Sequence, residues 1–278
     1  MGQRADAHIH LFEEPLVGTF PDRPGVEMDE AACFDSLAKE SDISAALVVC
    51  YNRCQGNGAN NEYVVGLQSR YDWVRPATFV EPDETPGIAA LERWHDEGVV
   101  GLTMYPRSAD AVLACPDEIW EWMISNRWLL SVNAKADAWD VWQDILGRHR
   151  ELRLVISHLG LPDRVTEPIG QAQAREKLGS VIALSRYPQV HVKLSGFYAL
   201  TEPSYEHPYE LAWPLVEALI EAFSVERLLF ASDYAPCLNH HTYPQTLGLF
   251  RKMPFLSDGD RDRITGENLL TLLREVGS

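Results

Sequence analysis

Ala5-Asp6-Ala7-His8-Ile9-His10-Leu11 is a short apolar run broken by one carboxylate and two imidazoles. It reads as a β-strand followed by a Pro/Gly-rich segment. Residues two apart along a strand point the same way, so Asp6, His8 and His10 are expected on one face. What this strand belongs to is decided by the pattern that follows it.

Outward from it, strand and helix signals alternate eight times. Met28–Lys39 reads as a helix entered at Asp29, and Ile43–Cys50 is a second strand. Then come helix Asn61–Tyr71, strand Val74–Val80, helix Ile88–Glu97 and strand Val99–Met104. Helix Glu118–Asn126, strand Leu129–Asn133, helix Ala138–His149 and strand Leu152–His158 continue the series. It closes with helix Gln171–Arg186, strand Val190–Leu194, helix Glu210–Phe223 and strand Leu228–Ala231. The Glu210 helix has the clearest pattern, with Leu211, Leu215, Leu219 and Phe223 on about one face. A last helix starts near Gly266-Glu267-Asn268. Eight parallel strands with covering helices close into a barrel, so the expected fold is α/β, a (β/α)8 TIM-type barrel. No composition break marks a linker, and one domain over 1–278 is expected. Neither GxGxxG nor GxxxxGK[ST] occurs, so no dinucleotide or phosphate loop is indicated.

The balance of charge narrows the partners. The 278 residues carry 24 Lys and Arg against 41 Asp and Glu, a formal charge of −17. That excess argues against nonspecific binding to nucleic acid or an anionic membrane, and leaves a small-molecule substrate as the expected partner. Five scattered cysteines without CxxC spacing suit a reducing compartment. No apolar stretch approaches the ~20 residues of a membrane span, and a cytoplasmic protein is expected. Trp120, Trp122, Trp128, Trp139 and Trp142 crowd the middle of the chain, as helix-to-barrel packing or as the surface of a homo-oligomer.

The chemistry sits where apolar strands abruptly turn polar. Strand six ends Val155-Ile156-Ser157-His158-Leu159-Gly160, and strand eight ends Phe230-Ala231-Ser232-Asp233-Tyr234. Barrels of this kind place their chemistry at the C-terminal ends of the strands. A buried carboxylate there is costly unless it meets a cation or donors. His8, His10, His158 and Asp233 arriving at one rim therefore explain one another.

The order of Asp6-Ala7-His8-Ile9-His10, Ser157-His158-Leu159-Gly160, Lys193-Leu194-Ser195-Gly196, Ser232-Asp233-Tyr234 and Gly266-Glu267-Asn268 resembles the second amidohydrolase family. The resemblance spans nearly the whole chain and is strongest to the branch of sugar lactonases and 2-pyrone-4,6-dicarboxylate lactonase. It implies a distorted, amidohydrolase-like (β/α)8 barrel whose centre is assembled from His8, His10, His158 and Asp233. These four are the expected metal ligands, for one Zn or Mn. The pyrone-lactonase-like relatives work without metal, so a metal-free centre is the alternative. Strand four ends Leu102-Thr103-Met104-Tyr105 without a bridging lysine or glutamate, and strand five ends Ser131-Val132-Asn133 without histidine. Both departures argue against a binuclear centre.

The expected activity is opening of a small carboxylated or sugar-derived lactone by an activated water. Asp233 takes the proton from water and His158 orients or polarises the carbonyl. Arg53, Arg107, Asn133, Lys193 and Tyr234 are the expected substrate contacts, although the parity of Lys193, opposite to Val192 and Leu194, also allows it to face the outer layer. Asn52, His240 and His241 rank below them. Segment 12–27, long for a βα connection, reads as a lid over the site or as a surface insertion. A metal-dependent nonoxidative decarboxylase of a small acid is the second enzyme reading, and a non-catalytic binding barrel the third.

Overall fold

The computed structural model describes residues 2–13, 29–52 and 59–276, with the side chains of residues 136 and 137 outside that description. Eight strands form one parallel sheet in sequence order: β1 (Arg4–Ile9), β2 (Ile43–Val49), β3 (Val74–Phe79), β4 (Gly101–Met104), β5 (Leu129–Val132), β6 (Arg153–Ile156), β7 (His191–Leu194) and β8 (Leu228–Phe230). The sheet closes through a parallel bridge between Ile9 and Tyr234, just beyond β8. Two backbone hydrogen bonds make that seam, Asp233 N to His8 O at 2.9 Å and His10 N to Tyr234 O at 2.5 Å. The expected (β/α)8 barrel is the observed fold.

Strand alternation sorts the core into two clusters. Leu47, Val49, Ala77, Leu129, Val155 and Leu229 pack together along the barrel axis. Their neighbours Val48, Leu102, Leu130, Leu154, Val192 and Phe230 join Trp120, Trp142, Leu215 and Leu219 in the layer shared with the helices. Both sides of each strand are thus buried, which is why the strands read as continuous apolar runs.

The helices mostly fall where periodicity puts them. Asp29 caps the helix Glu30–Glu40, its side chain accepting from Ala32 N at 2.9 Å. Three expected helices are broken, among them Ala138–His149, which begins inside a 3-10 turn over Ala136–Trp139 and becomes α-helical at Val141–Arg148. Gln171–Arg186 divides into Gln171–Lys177, Gly179–Ala183 and a 3-10 turn Leu184–Arg186. The Glu210 helix starts as a 3-10 turn over Glu210–Ala212 and becomes α-helical at Trp213–Phe223, because Pro214 in the first turn lacks an N–H and suits only a helix start. Leu215, Leu219 and Phe223 are buried as expected, and Leu211 is half-buried. Helices Ala109–Ala114 and Tyr243–Lys252 lie in stretches without a clear sequence signal. Among the described residues no helix is long and apolar enough to cross a membrane.

Candidate active site

The seam between β1 and β8 builds the site. Register shifts in the β1–β2 pairing fall between Asp6 and Ile9, so strict alternation fails there. Asp6 does not share a face with His8 and His10, contrary to the reading from parity. Its carboxylate turns to the outer layer, where Oδ1 accepts from Ser232 N at 2.9 Å and His8 N at 3.1 Å, and Oδ2 accepts from Tyr243 at 3.1 Å. Burial pushes the Asp6 carboxyl up to about 6 despite these donors.

His8, His10 and Asp233 converge at the mouth. The two Nε2 atoms lie 3.0 Å apart, and each is 3.7 Å from Asp233 Oδ1. Nδ1 of His10 meets the Val49 carbonyl at 2.8 Å, so it carries the proton and Nε2 presents a lone pair. Asp233 sits in the left-handed region at φ 59°, and the Tyr198 hydroxyl donates to its Oδ2. Lys193 comes up from beneath, with Nζ 3.1 Å from His8 Nδ1 and 2.6 Å from Ser131 Oγ. Burial pulls the Lys193 ammonium down to about 7, against the pull of Asp233 and Asp6. His158 stands alongside, its ring 4.7 Å from that of His8 and its Nδ1 2.8 Å from Ser195 Oγ. Burial holds His8, His10 and His158 below the usual imidazole range, with Asp233 opposing it at His10 and His158, so the centre is rich in neutral imidazoles.

The donor set fits a single divalent ion. His8, His10 and Asp233 offer atoms all within 4.8 Å of one another. Ligands at 2.0–2.2 Å from one tetrahedral ion lie roughly 3.3–3.6 Å apart, and the observed 3.0 and 3.7 Å separations bracket that spacing. His158, also expected as a ligand, is outside this group, and its Nδ1 meets Ser195.

The family model for amidohydrolases matches residues 5–274. The chain belongs to this amidohydrolase family. No curated protein matches it in sequence. Its fold is that of an amidohydrolase from Burkholderia multivorans with bound zinc, at 17% identity over 98% of this chain and 99% of that one, with a TM-score of 0.76. A probable 2-pyrone-4,6-dicarboxylic acid hydrolase from Acinetobacter baumannii, with citric acid bound, aligns at 17% identity over 98% and 100% of the two chains, TM-score 0.74. The 2,6-dihydroxybenzoate decarboxylase from Rhizobium aligns at 12% identity over 99% of each chain, TM-score 0.62.

The expected substrate contacts of this amidohydrolase scatter. Arg107 is exposed, pairs with Glu81 at 3.3 Å and lines a cleft of about 350 Å³ with Asn52, Asp83 and Ser108. Asn133 is half-buried at the end of β5. Lys193 is wholly enclosed, with Nζ against His8 and Ser131. It faces the barrel axis, while its neighbours Val192 and Leu194 join the outer layer. Tyr234 is also misplaced by the sequence reading. Next to an inward Asp233 its ring turns outward, packs on Phe34 and Tyr243, and donates to the Glu30 carbonyl at 3.0 Å. Arg53 and residues 14–27 of the expected lid lie outside the described residues. His240 stacks on Tyr198 at 4.2 Å between centroids, and His241 Nδ1 is 2.7 Å from the Tyr209 hydroxyl.

Sequence reasoning did not rank Tyr198 or Tyr105 among the candidate residues. Tyr198 lies on a helix of only 4 residues, Phe197–Leu200, too short to show a period. Tyr105 follows β4 directly, two residues beyond the inward-facing Thr103, and that parity is the signal that finds it.

Proposed function

We propose that this amidohydrolase opens a small lactone by attack of water, within one barrel domain. The observation that carries the reading is the convergence of His8, His10 and Asp233 on one point at the mouth. Tyr198 occupies Asp233 Oδ2, which leaves Oδ1 to take the proton from the attacking water. With Nδ1 held by Ser195, His158 keeps Nε2 for the carbonyl oxygen of the ring ester. A neutral His158 meets that oxygen as a hydrogen-bond donor and stabilises the charge that grows on it. The proton on Asp233 then passes to the ring oxygen as the carbon–oxygen bond breaks, giving the open hydroxy acid.

When bound by His8, His10 and Asp233, a divalent ion such as zinc supplies Lewis-acid stabilisation of that same charge. The zinc of the Burkholderia relative supports a metal-loaded form. The dicarboxylic acid hydrolase from Acinetobacter supports a cyclic ester as substrate class.

The Rhizobium relative keeps decarboxylation as the second reading. Asn133 and not histidine follows β5, which favours hydrolysis. Product analysis over a panel of lactones and aromatic acids tests the choice. Ring opening releases a proton at constant carbon count, and carbon dioxide release overturns it.

A further inference from the structure

Tyr105 carries a buried polar atom that the fold does not use. Its ring packs at 4.8 Å on Tyr51 and at 6.1 Å on Phe79, and Tyr51 in turn lies 6.2 Å from His10. Aromatic residues from the ends of β2, β3 and β4 thus wall one side of the mouth. The Tyr105 hydroxyl is buried and makes no hydrogen bond among the described residues. Asn133 lies alongside without meeting it at hydrogen-bonding geometry. A hydroxyl in this state costs free energy in the folded protein, and its retention calls for a use. Among the described residues the charged group acting on it is Asp233, and no lysine or arginine does.

We propose that the Tyr105 hydroxyl, with the Asn133 side chain beside it, forms a subsite that binds an uncharged oxygen acceptor of the substrate. The class of acceptor follows from the field. Before an ion is bound, a carboxylate placed there would feel the charge of Asp233 with no lysine or arginine of the described residues beside it, whereas an ester or amide carbonyl gains the donor and escapes that repulsion. The aromatic wall of Tyr51 and Phe79 gives the ring that carries this carbonyl an apolar surface to lie on. This subsite rests on the lactone reading for its substrate, not for its existence.

The test uses Tyr105→Phe, which removes one oxygen and keeps the ring. Thermal melting, binding of glucono-δ-lactam followed by calorimetry, and hydrolysis of glucono-δ-lactone are measured on both proteins. The variant is expected to melt about 2 °C or more above the wild type, since an unpaired buried hydroxyl is gone. It is expected to bind the lactam about tenfold more weakly and to raise KM for the lactone with kcat less affected. A lower or unchanged melting temperature shows that the hydroxyl is paired in the free protein and overturns the proposal. So does a stabilised variant that binds the lactam as tightly as wild type, or a wild type that does not bind it. Lactam binding weakened by the substitution, in a protein that hydrolyses no lactone, overturns the lactonase reading and leaves the subsite standing.

Discussion

Lys193 Nζ lies 3.1 Å from Nδ1 of His8 while the lysine is wholly enclosed by the barrel. In the metal-free centre a donor at Nδ1 leaves the His8 proton on Nε2, which points at the lone pair of His10 Nε2 only 3.0 Å away, and that proton has to leave before Nε2 can hold an ion. The lysine therefore sets which His8 nitrogen carries the proton, and with it the hydrogen-bonding sense of the centre. His10 is set in the opposite sense by a backbone carbonyl.

Replacing Lys193 by methionine removes that donor while filling similar space. We expect kcat/KM for lactone hydrolysis to fall about 10–100-fold, as when other partners that orient site histidines are lost. The melting temperature should stay close to wild type, since the buried cation is itself costly. Steady-state kinetics and thermal melts on one preparation check both, and full turnover in the variant contradicts the role.

Asp6 ties β1 to the backbone just ahead of Asp233 through Ser232 N at 2.9 Å and His8 N at 3.1 Å. Asp6→Ala leaves two buried N–H groups and the Tyr243 hydroxyl without their acceptor. A loss of about 3 kcal/mol in urea denaturation is expected, and a cost near zero would show that these groups find other partners.

Gly196 has φ 65°, and a Cβ built on it would lie 2.8 Å from His158 Nδ1. Gly196→Ala should cost about 1–2 kcal/mol for the left-handed backbone alone. It should also dislodge His158 from Ser195, lowering kcat more than the stability loss explains. Kinetics well below the unfolding transition, read beside the melt, separate the two effects.

Acid should weaken the fold through His191. Burial holds this imidazole down at about 4, against 6.5 when exposed. Between those values the unfolded chain binds more protons than the folded one, so stability rises with pH across the window and is lost as pH falls through it. One such group accounts for about 2 kcal/mol between pH 6.5 and 4.5. His241, held at about 4 as well, acts in the same sense. Urea melts at the two pH values should show a smaller difference for His191→Gln than for wild type.

The eight strands were legible because burial on both faces makes each a continuous apolar run, and the site because three of those runs end abruptly in histidine or aspartate. Their convergence needed only the rule that parallel barrels bring such ends to one rim. Asp6 was not legible, since its direction depends on the irregular register of β1 and on a donor from Tyr243, far along the chain. Lys193 and Tyr234 show a related limit. Parity fixes which neighbours oppose each other, while which side is the barrel axis is decided by closure. Helix Tyr243–Lys252, which buries Tyr243, Leu249 and Phe250 against the outer layer, drew its order from tertiary packing more than from its own period.

The account turns on Asp233 as the group that takes the proton from water. The most direct test is proton release on a pH-stat over a lactone panel, comparing wild type with Asp233→Asn at equal folded concentration. Wild type should show saturable ring opening at constant carbon count, and the variant should lose about 10²–10⁴-fold in kcat with its melt largely unchanged. Full turnover by Asp233→Asn, or release of carbon dioxide in place of the hydroxy acid, would contradict it.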